Sequence, residues 1–398
     1  MKRLIVAFDG TWNRTESVAR PSDLITNVVK IVRAIRPVAR DGTVQSIEYV
    51  RGVGTGNLLD RAKGGLTGDG VSVNIEQAYH FIANNYQAGD GLYLFGFSRG
   101  AFTARSLSGF LRHVGILAKA QLHRFPAAYL AYRNRQLADM AEVRASFGQP
   151  ESVDEVSVPV RFLGVWDTVG RLGTIPGLTE PDVRFHDTTL SPNVTAAYHA
   201  LAVHEIRTDF PATLWTEKWP HQTVEQVWFP GSHSDVGGGL PDAGLSNVTL
   251  RWMADRAQRT GLAFDDGYLD ADEQRPDENG TIHYSCTGMF RSRPTAPRAI
   301  DAELGVEQYV HASVRARRGS NPGPRRRADD FLEAEARACA LPDAPDPEGD
   351  AERAARDAAE RARQAAEQAR QIEEIGHAFH TGTTRPLTLE TRHPRTDR

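Results

Sequence analysis

One serine of the chain lies between two glycines in a pattern that serves nucleophilic catalysis. Gly96-Phe97-Ser98-Arg99-Gly100 follows a short apolar run at 92–95 and precedes residues 101–107, which are typical of the first turns of a helix. A G-x-S-x-G pattern between a strand and a helix predicts a nucleophile elbow, in which a sharp turn projects the serine hydroxyl from the end of a sheet. Glycines flank such a turn because larger side chains collide with the neighbouring strand and helix. We therefore expect Ser98 to be a nucleophile; the alternative is a glycine-rich turn without chemistry.

An acid and a base of the types that a serine nucleophile needs follow two later predicted strands. Asp167 stands at the carboxyl end of the predicted strand 158–166, and His233 lies in a glycine-rich loop after the predicted strand 224–229. Residues at the carboxyl ends of parallel strands face the crevice of an open α/β sheet. The chain order Ser98, Asp167, His233 matches that of α/β-hydrolase triads. We expect His233 to be the base and Asp167 to orient its ring.

Other residues compete for these roles. Asp235 is expected to support the loop of His233 or to replace Asp167 as the acid partner, and Asp167 is otherwise a turn or helix cap. His113, His199 and His204 lie in stretches predicted to be helical, which favours packed or surface positions for them.

The loop after the first predicted strand, 4–8, is the expected source of an oxyanion donor. In the α/β-hydrolase order, the strand two before the nucleophile strand leads into such a loop. The expected donors are the backbone N–H of Arg99 and that of Gly10 or Thr11. Asp9 is expected either to brace this loop by accepting local N–H bonds or to form a simple turn.

Two further motifs allow different chemistry. Residues 8–11, Phe-Asp-Gly-Thr, are similar to the start of haloacid-dehalogenase-type phosphatases, but Ala7 replaces the second aspartate of that motif. An Asp9-based, metal-dependent phosphoesterase remains the alternative activity. The glycines at 52–56 lack the third glycine and the acidic partner of a dinucleotide-binding fingerprint, so a tight turn is favoured.

Composition bounds the function classes. The 398 residues are 40% hydrophobic and 25% charged with a net charge of −4, which gives no indication of nucleic-acid binding. Cys286 and Cys339 form neither a metal spacing nor a disulfide framework, which fits a reducing compartment. The apolar run near Met1 is too short for a signal peptide, and no stretch reaches the roughly 18 apolar residues of a membrane span. We expect synthesis in the cytoplasm, no transmembrane segment and no cofactor or metal; export without a signal peptide stays open.

The alternation of strands and helices predicts an α/β-hydrolase-like fold, with a mostly parallel sheet flanked by helices. The expected catalytic domain spans 1–262, with a cap insertion at about 170–222 that includes short helical patches such as 194–203. An irregular C-terminal extension is expected at 263–345. Residues 346–398 are expected to form an Ala/Glu/Arg-rich helix, solvated or used for self-association or partner binding, and a disordered tail.

Four motifs together resemble a known family. They are Phe8-Asp9-Gly10-Thr11-Trp12-Asn13, Gly96-Phe97-Ser98-Arg99-Gly100-Ala101-Phe102, Gly164-Val165-Trp166-Asp167-Thr168-Val169-Gly170 and Gly231-Ser232-His233-Ser234-Asp235-Val236-Gly237-Gly238-Gly239. This set, over roughly 1–260, resembles the α/β-hydrolase domain of type VI secretion lipase effectors, formerly a domain of unknown function. The resemblance implies phospholipase activity through a Ser–Asp–His triad, carried over to Ser98, Asp167 and His233.

Two features depart from that family. His204-Glu205 stands where members often have an aspartate before the glutamate, and about 140 residues of unlike sequence follow the core in place of membrane-docking insertions. A secreted effector and a housekeeping or defence esterase are both compatible with this pattern. The sequence predicts a serine ester hydrolase acting on an acyl ester, with a (phospho)lipid as the expected substrate. A non-catalytic binding protein on the same fold is the other alternative.

Overall fold

A parallel sheet of seven strands forms the centre of the fold. The computed structural model describes residues 1–10, 25–52, 69–133, 140–150, 152–169, 188–291, 294–317 and 328–345. The strands are β1 (Arg3–Phe8), β2 (Gln45–Val50), β3 (Gly91–Phe97), β4 (Val160–Trp166), β5 (Val194–Ala202), β6 (Thr223–Phe229) and β7 (Gln308–Val310). Their order across the sheet is β2-β1-β3-β4-β5-β6-β7, and every neighbouring pair is parallel. This all-parallel sheet with flanking helices confirms the predicted α/β-hydrolase-like fold.

Helices cover both faces of the sheet. In the described part of the chain they are α1 (Asn27–Ala34), α2 (Asp69–Asn85), α3 (Arg99–His113), α4 (Phe125–Arg133), α5 (Met140–Ser146), α6 (Val153–Val156), α7 (His233–Gly237), α8 (Gly244–Arg259), α9 (Asp266–Leu269), α10 (Ala312–Arg317) and α11 (Ala328–Ala338). Short 3-10 turns occur at Lys119–Arg124, Asp272–Gln274, Gly288–Phe290 and Ala302–Leu304.

The strands form where the sequence is continuously apolar, because both faces of a parallel sheet are covered. Successive side chains of a strand point to opposite faces. One set therefore packs with α2 and α3, and the alternate set packs with α1 and α8. In β1 and β3 the first set is Leu4, Val6, Leu92 and Leu94, and the second is Ile5, Ala7, Tyr93 and Phe95.

The helix predicted at 194–203 is wrong, because this stretch forms strand β5 between β4 and β6. Its alanines favour a helix locally, but eight of its nine residues are buried and the stretch completes the sheet, so tertiary packing overrides propensity. His199 therefore lies in a strand and His204 in the turn that follows it, whereas His113 does end helix α3. Of the predicted cap insertion, residues 170–187 lie outside the described part.

The segment after α8 contributes to the sheet. It supplies the edge strand β7 beside β6, and then helices α10 and α11. Residues 1–344 form one compact unit. The predicted helix and tail at 346–398 lie outside the described residues. Within the described ranges, no helix is both long enough and apolar enough to span a bilayer.

Candidate active site

Ser98 lies in a tight turn between β3 and α3. Its backbone has φ 58° and ψ −119°, a region that L-residues rarely adopt. The two flanking glycines have no room for a side chain. A Cβ on Gly96 would lie 2.5 Å from the carbonyl oxygen of Gly100, and a Cβ on Gly100 would lie 2.3 Å from that of Phe8. The turn is therefore fixed by close backbone packing against the end of β1.

The structure brings Ser98, His233 and Asp167 together. Ser98 Oγ lies 2.9 Å from His233 Nε2, and His233 Nδ1 lies 2.5 Å from Asp167 Oδ2. All three side chains are buried, with Asp167 fully inaccessible. A hydroxyl bonded to an imidazole whose other nitrogen faces a carboxylate is an arrangement that can activate a serine nucleophile.

The strand order places these residues at one edge of the sheet. Ser98 follows β3 and Asp167 follows the adjacent β4, and the Ser98 N–H still donates to the Trp166 carbonyl at 3.0 Å. β5 lies between β4 and β6 in the sheet. His233, which follows β6, therefore comes from a strand two places away from the strand that carries Asp167. His233 begins the short helix α7, and Ser232 caps that helix.

The carboxylate of Asp167 is surrounded by donors. Arg298 Nη1 donates to Oδ1 at 2.6 Å and Nη2 donates to Oδ2 at 3.0 Å, while the Ala202 N–H donates to Oδ1 at 3.0 Å. Burial alone raises the pKa of a carboxyl group. Here the positive charge of Arg298 and the hydrogen bond from His233 outweigh burial and hold the pKa of Asp167 well below its ordinary value. Asp167 is therefore ionised.

Asp235 is bonded within the loop of His233 and to a residue of the later segment. Its Oδ2 accepts from the Ser232 N–H at 2.8 Å, which closes a capping box at the start of α7. Its Oδ1 lies 2.6 Å from His283 Nδ1. This hydrogen bond raises the pKa of His283 above its ordinary value, against the opposing effect of burial. The carboxylate at the His233 ring is that of Asp167.

A further buried carboxylate, Glu205, lies on the backbone side of His233. Its Oε2 accepts from the His233 N–H at 3.3 Å, and its Oε1 accepts from Ser285 Oγ at 2.9 Å. Arg207 donates to Oε1 and Oε2, each at 2.8 Å. Burial opposes ionisation, but Arg207 lowers the pKa of Glu205 below its ordinary value. Asp167 and Glu205 are thus each paired with an arginine of their own.

Two other histidines bind the backbone next to the site. His204 Nδ1 accepts from the Gly231 N–H at 2.8 Å, just before α7. His199 Nε2 accepts from the Thr168 N–H at 3.0 Å, just after Asp167. Burial lowers the pKa of His199 to about 3, so its ring is neutral. Both rings therefore fix the loops that carry Asp167 and His233.

The predicted oxyanion loop adjoins the start of α3. A Cβ on Gly100 would lie 2.6 Å from the carbonyl oxygen of Asp9, so this loop packs directly on the turn of Ser98. The Gly10 N–H donates to Asp9 Oδ1 at 2.7 Å, and the Tyr49 hydroxyl donates to Asp9 Oδ2 at 2.6 Å. Arg99 is the first residue of α3, where backbone N–H groups point out of the helix end. Thr11 lies outside the described residues.

A cavity of about 460 Å³ borders Arg298. Its lining is mostly apolar and includes Phe210 and Leu214. The Phe210 ring also packs edge-on against the His233 ring, with centroids 5.3 Å apart. Two residues that contact the site, Arg298 and Phe210, therefore line this cavity.

A family model decides where the chain belongs. The model described as "T6SS, Phospholipase effector Tle1-like, catalytic domain" matches residues 2–256. The chain is a member of this family. The Tle1-like match ends before His283, Ser285 and Arg298, so these contacts of the site come from sequence beyond the family model.

Individual relatives are distant. The uncharacterised protein YEL023C of Saccharomyces cerevisiae is 27% identical over 240 residues, which cover 54% of this chain and 33% of the yeast protein. The crystal structure of an uncharacterised protein from Pseudomonas aeruginosa aligns with a TM-score of 0.42 and 19% identity over 70% of this chain and 49% of that one. The structure of the Tle1 effector bound to the VgrG spike from the type VI secretion system aligns with a TM-score of 0.33 and 20% identity over 61% and 52%. This chain thus spans a third of the yeast protein and about half of each of these structures.

Proposed function

We propose that this chain is a serine ester hydrolase that cleaves an acyl ester of a lipid, with phospholipids as the substrate class. The observation that carries the proposal is the pair of contacts from His233, to Ser98 Oγ at 2.9 Å and to Asp167 Oδ2 at 2.5 Å. Membership of a family of phospholipase effector catalytic domains supports a lipid as the substrate.

In the proposed first step, Ser98 Oγ attacks the ester carbonyl carbon while His233 Nε2 takes its proton. Asp167 stays ionised, keeps the Nδ1–H tautomer and stabilises the imidazolium. The Arg99 N–H and an N–H of Gly10 or Thr11 bind the oxyanion. Because the Gly10 N–H donates to Asp9 Oδ1, it serves this role only as a shared donor. Loss of one such donor costs about 10²–10³ in rate.

In the second half of the reaction, the imidazolium gives its proton to the leaving alcohol oxygen as the carbonyl re-forms. This leaves an acyl ester on Ser98. His233 then takes a proton from water as the water oxygen attacks the acyl carbon. Collapse of the second tetrahedral intermediate returns that proton to Ser98 Oγ and releases the fatty acid, so protons and bonds balance over the cycle.

A covalent probe tests the nucleophile directly. The purified full chain and Ser98→Ala are treated with a fluorophosphonate, and the adduct is located by mass spectrometry. We expect one adduct, on Ser98, in the wild type and none in the variant. A folded wild-type protein that forms no adduct contradicts the proposal and favours a binding protein on this fold.

A substrate panel tests the reaction class. Short-chain esters, triacylglycerols and phospholipid vesicles are compared with and without divalent cations. We expect fatty acid release from phospholipid, lost in Ser98→Ala and reduced by about 10⁴ in Asp167→Asn, because an amide in place of the carboxylate imposes the wrong imidazole tautomer. Phosphate ester hydrolysis that survives Ser98→Ala but not Asp9→Asn would assign the chemistry to Asp9 instead.

A further inference from the structure

We infer that Arg298, which lies outside the matched family region, is a positioning residue that aligns the Asp167 carboxylate with His233 and balances its charge. This inference rests on the proposed function, since it assigns a role within the same reaction. Arg298 reaches Asp167 from a segment 131 residues further along the chain.

The geometry of the contact is specific. The two terminal nitrogens of Arg298 each bind a different oxygen of Asp167, at 2.6 and 3.0 Å, so the planes of the guanidinium and the carboxylate are locked together. The same nitrogens donate to the carbonyl oxygens of Ala202 at 3.1 Å and Phe210 at 2.8 Å. Arg298 is only 6% exposed. The backbone carbonyls of Ala202 and Phe210 therefore hold the guanidinium in the orientation in which it binds Asp167.

A buried carboxylate requires such a partner. Asp167 has no accessible surface, and an isolated ion there would lose its hydration without compensation. The Ala202 N–H and His233 alone supply one neutral donor and one titratable donor. Arg298 supplies a positive charge and two donors in the planar fork that matches a carboxylate.

Charges from several elements face His233, and their balance sets how readily its ring takes a proton. The negative groups are Asp167 at the ring, Glu205 at the His233 N–H and Asp235 within α7. The positive groups are Arg298 on Asp167, Arg207 on Glu205, and His283 on Asp235 when its ring is protonated. Loss of Arg298 leaves a negative excess that stabilises the imidazolium.

The cavity beside Arg298 allows a decisive experiment. Arg298→Ala removes the side chain of a residue that lines a space of about 460 Å³. A free guanidinium ion can enter such a space and restore the charge and the two hydrogen bonds at Asp167. Rescue of this kind does not follow from a general loss of packing.

The test compares wild type, Arg298→Ala, Arg298→Lys and Arg337→Ala for ester hydrolysis against pH. Arg337 is the matched control, because it lies in the same later segment and donates to the Arg298 carbonyl and to Glu333. For Arg298→Ala we expect kcat to fall about 100-fold or more at neutral pH, because misalignment of a catalytic group lowers the rate by about that factor. We expect little change in KM. We also expect the acid limb of its kcat/KM profile to move to higher pH. Millimolar guanidinium should raise the kcat of Arg298→Ala at least about tenfold. Arg337→Ala should keep the wild-type pH profile and show no rescue.

Arg298→Lys covers the case in which the alanine variant does not fold. It retains the charge but not the fork, so we expect an acid limb close to that of wild type and a kcat reduced about tenfold or more. Wild-type kcat in Arg298→Lys, or a folded Arg298→Ala with an unmoved acid limb and no rescue, overturns the inference. If the wild type labels at Ser98 while the Arg298 variants behave as wild type, only this inference fails. If the wild type neither labels nor hydrolyses esters, the proposed function itself fails.

Discussion

Glu335 Oε1 lies 3.0 Å from His204 Nε2, in the interior of the protein. The other ring nitrogen of His204 accepts from the Gly231 N–H. Since Nδ1 is an acceptor, the proton of the neutral ring is on Nε2 and is donated to Glu335. One imidazole therefore connects helix α11 to the loop that leads into His233.

Replacement of Glu335 tests that connection. Glu335→Ala leaves the buried Nε2–H of His204 without its acceptor, which costs about 1–3 kcal/mol. We expect a lower urea midpoint and slower labelling of Ser98 by a fluorophosphonate. Glu333→Ala is the control, because Glu333 lies on the same helix but is half exposed and pairs with Arg337. Its stability should stay within about 0.5 kcal/mol of wild type. Equal urea midpoints for the two variants would contradict the connection.

The close approach of α3 to β1 predicts that Gly100→Ala is disruptive. The new methyl group would lie within 2.6 Å of two backbone oxygens, those of Phe8 and Asp9, which cannot move as a side chain does. We expect a loss of stability of about 1–3 kcal/mol or more and a marked loss of Ser98 labelling. Gly267→Ala, where the nearest atom is the Asp265 carboxylate at 3.3 Å, is the control. Both quantities are measured by urea unfolding and by the labelling rate.

The backbone at Ser98 predicts a trade of stability against activity. Backbone strain for a non-glycine residue in this conformation is of the order of 1–3 kcal/mol. Glycine removes this strain, and the gain exceeds the cost of its larger conformational entropy in the unfolded state. We expect Ser98→Gly to be more stable than Ser98→Ala by about 1 kcal/mol, and we expect both to lack the proposed esterase activity. Thermal unfolding of the two inactive variants measures the difference. An equal or lower stability of the glycine variant would show that the turn is not strained.

The hydrogen bond between His283 and Asp235 predicts a pH-dependent contribution to stability. Because the pKa of His283 is raised on folding, the contribution is fully present below the ordinary histidine pKa of 6.5 and is lost as the pH rises through the folded-state pKa. We expect His283→Gln to destabilise the protein more at about pH 5.5 than at about pH 8.5. Urea unfolding of wild type and variant at both pH values gives the comparison. A difference that does not change with pH would exclude protonated His283 as the source.

Local sequence is sufficient to predict β1, β3, β4 and β6 and the turn at Ser98. Each of these strands is a short stretch of mainly apolar, strand-forming residues that ends in glycine or polar residues, as is typical of parallel strands covered on both faces. The glycines around Ser98 are explained by backbone contacts below 3 Å. The positions of Asp167 and His233 follow from the strand ends.

β5 and the residues beyond the matched family region were less predictable, for different reasons. β5 contains four alanines in nine residues, and only its place between two strands decides against a helix. Arg298 and His283 stand in stretches without strong periodicity, and Glu335 lies on helix α11. All three make their contacts with residues 48 to 131 positions away. No local pattern encodes a contact at that distance. The sequence motifs point to Asp167, Asp235 and His204, but no motif points to the three residues that bind them.

The order of synthesis gives the Asp167–Arg298 contact a further meaning. A ribosome releases a chain from its amino end, and domains begin to fold as they emerge. Ser98, Asp167 and His233 are therefore outside the exit tunnel while Arg298 and Glu335 are still to be made. A nascent chain therefore carries Ser98 before it carries Arg298, which binds Asp167, and helix α11, which binds His204. The site can consequently be completed only late in the synthesis of each chain.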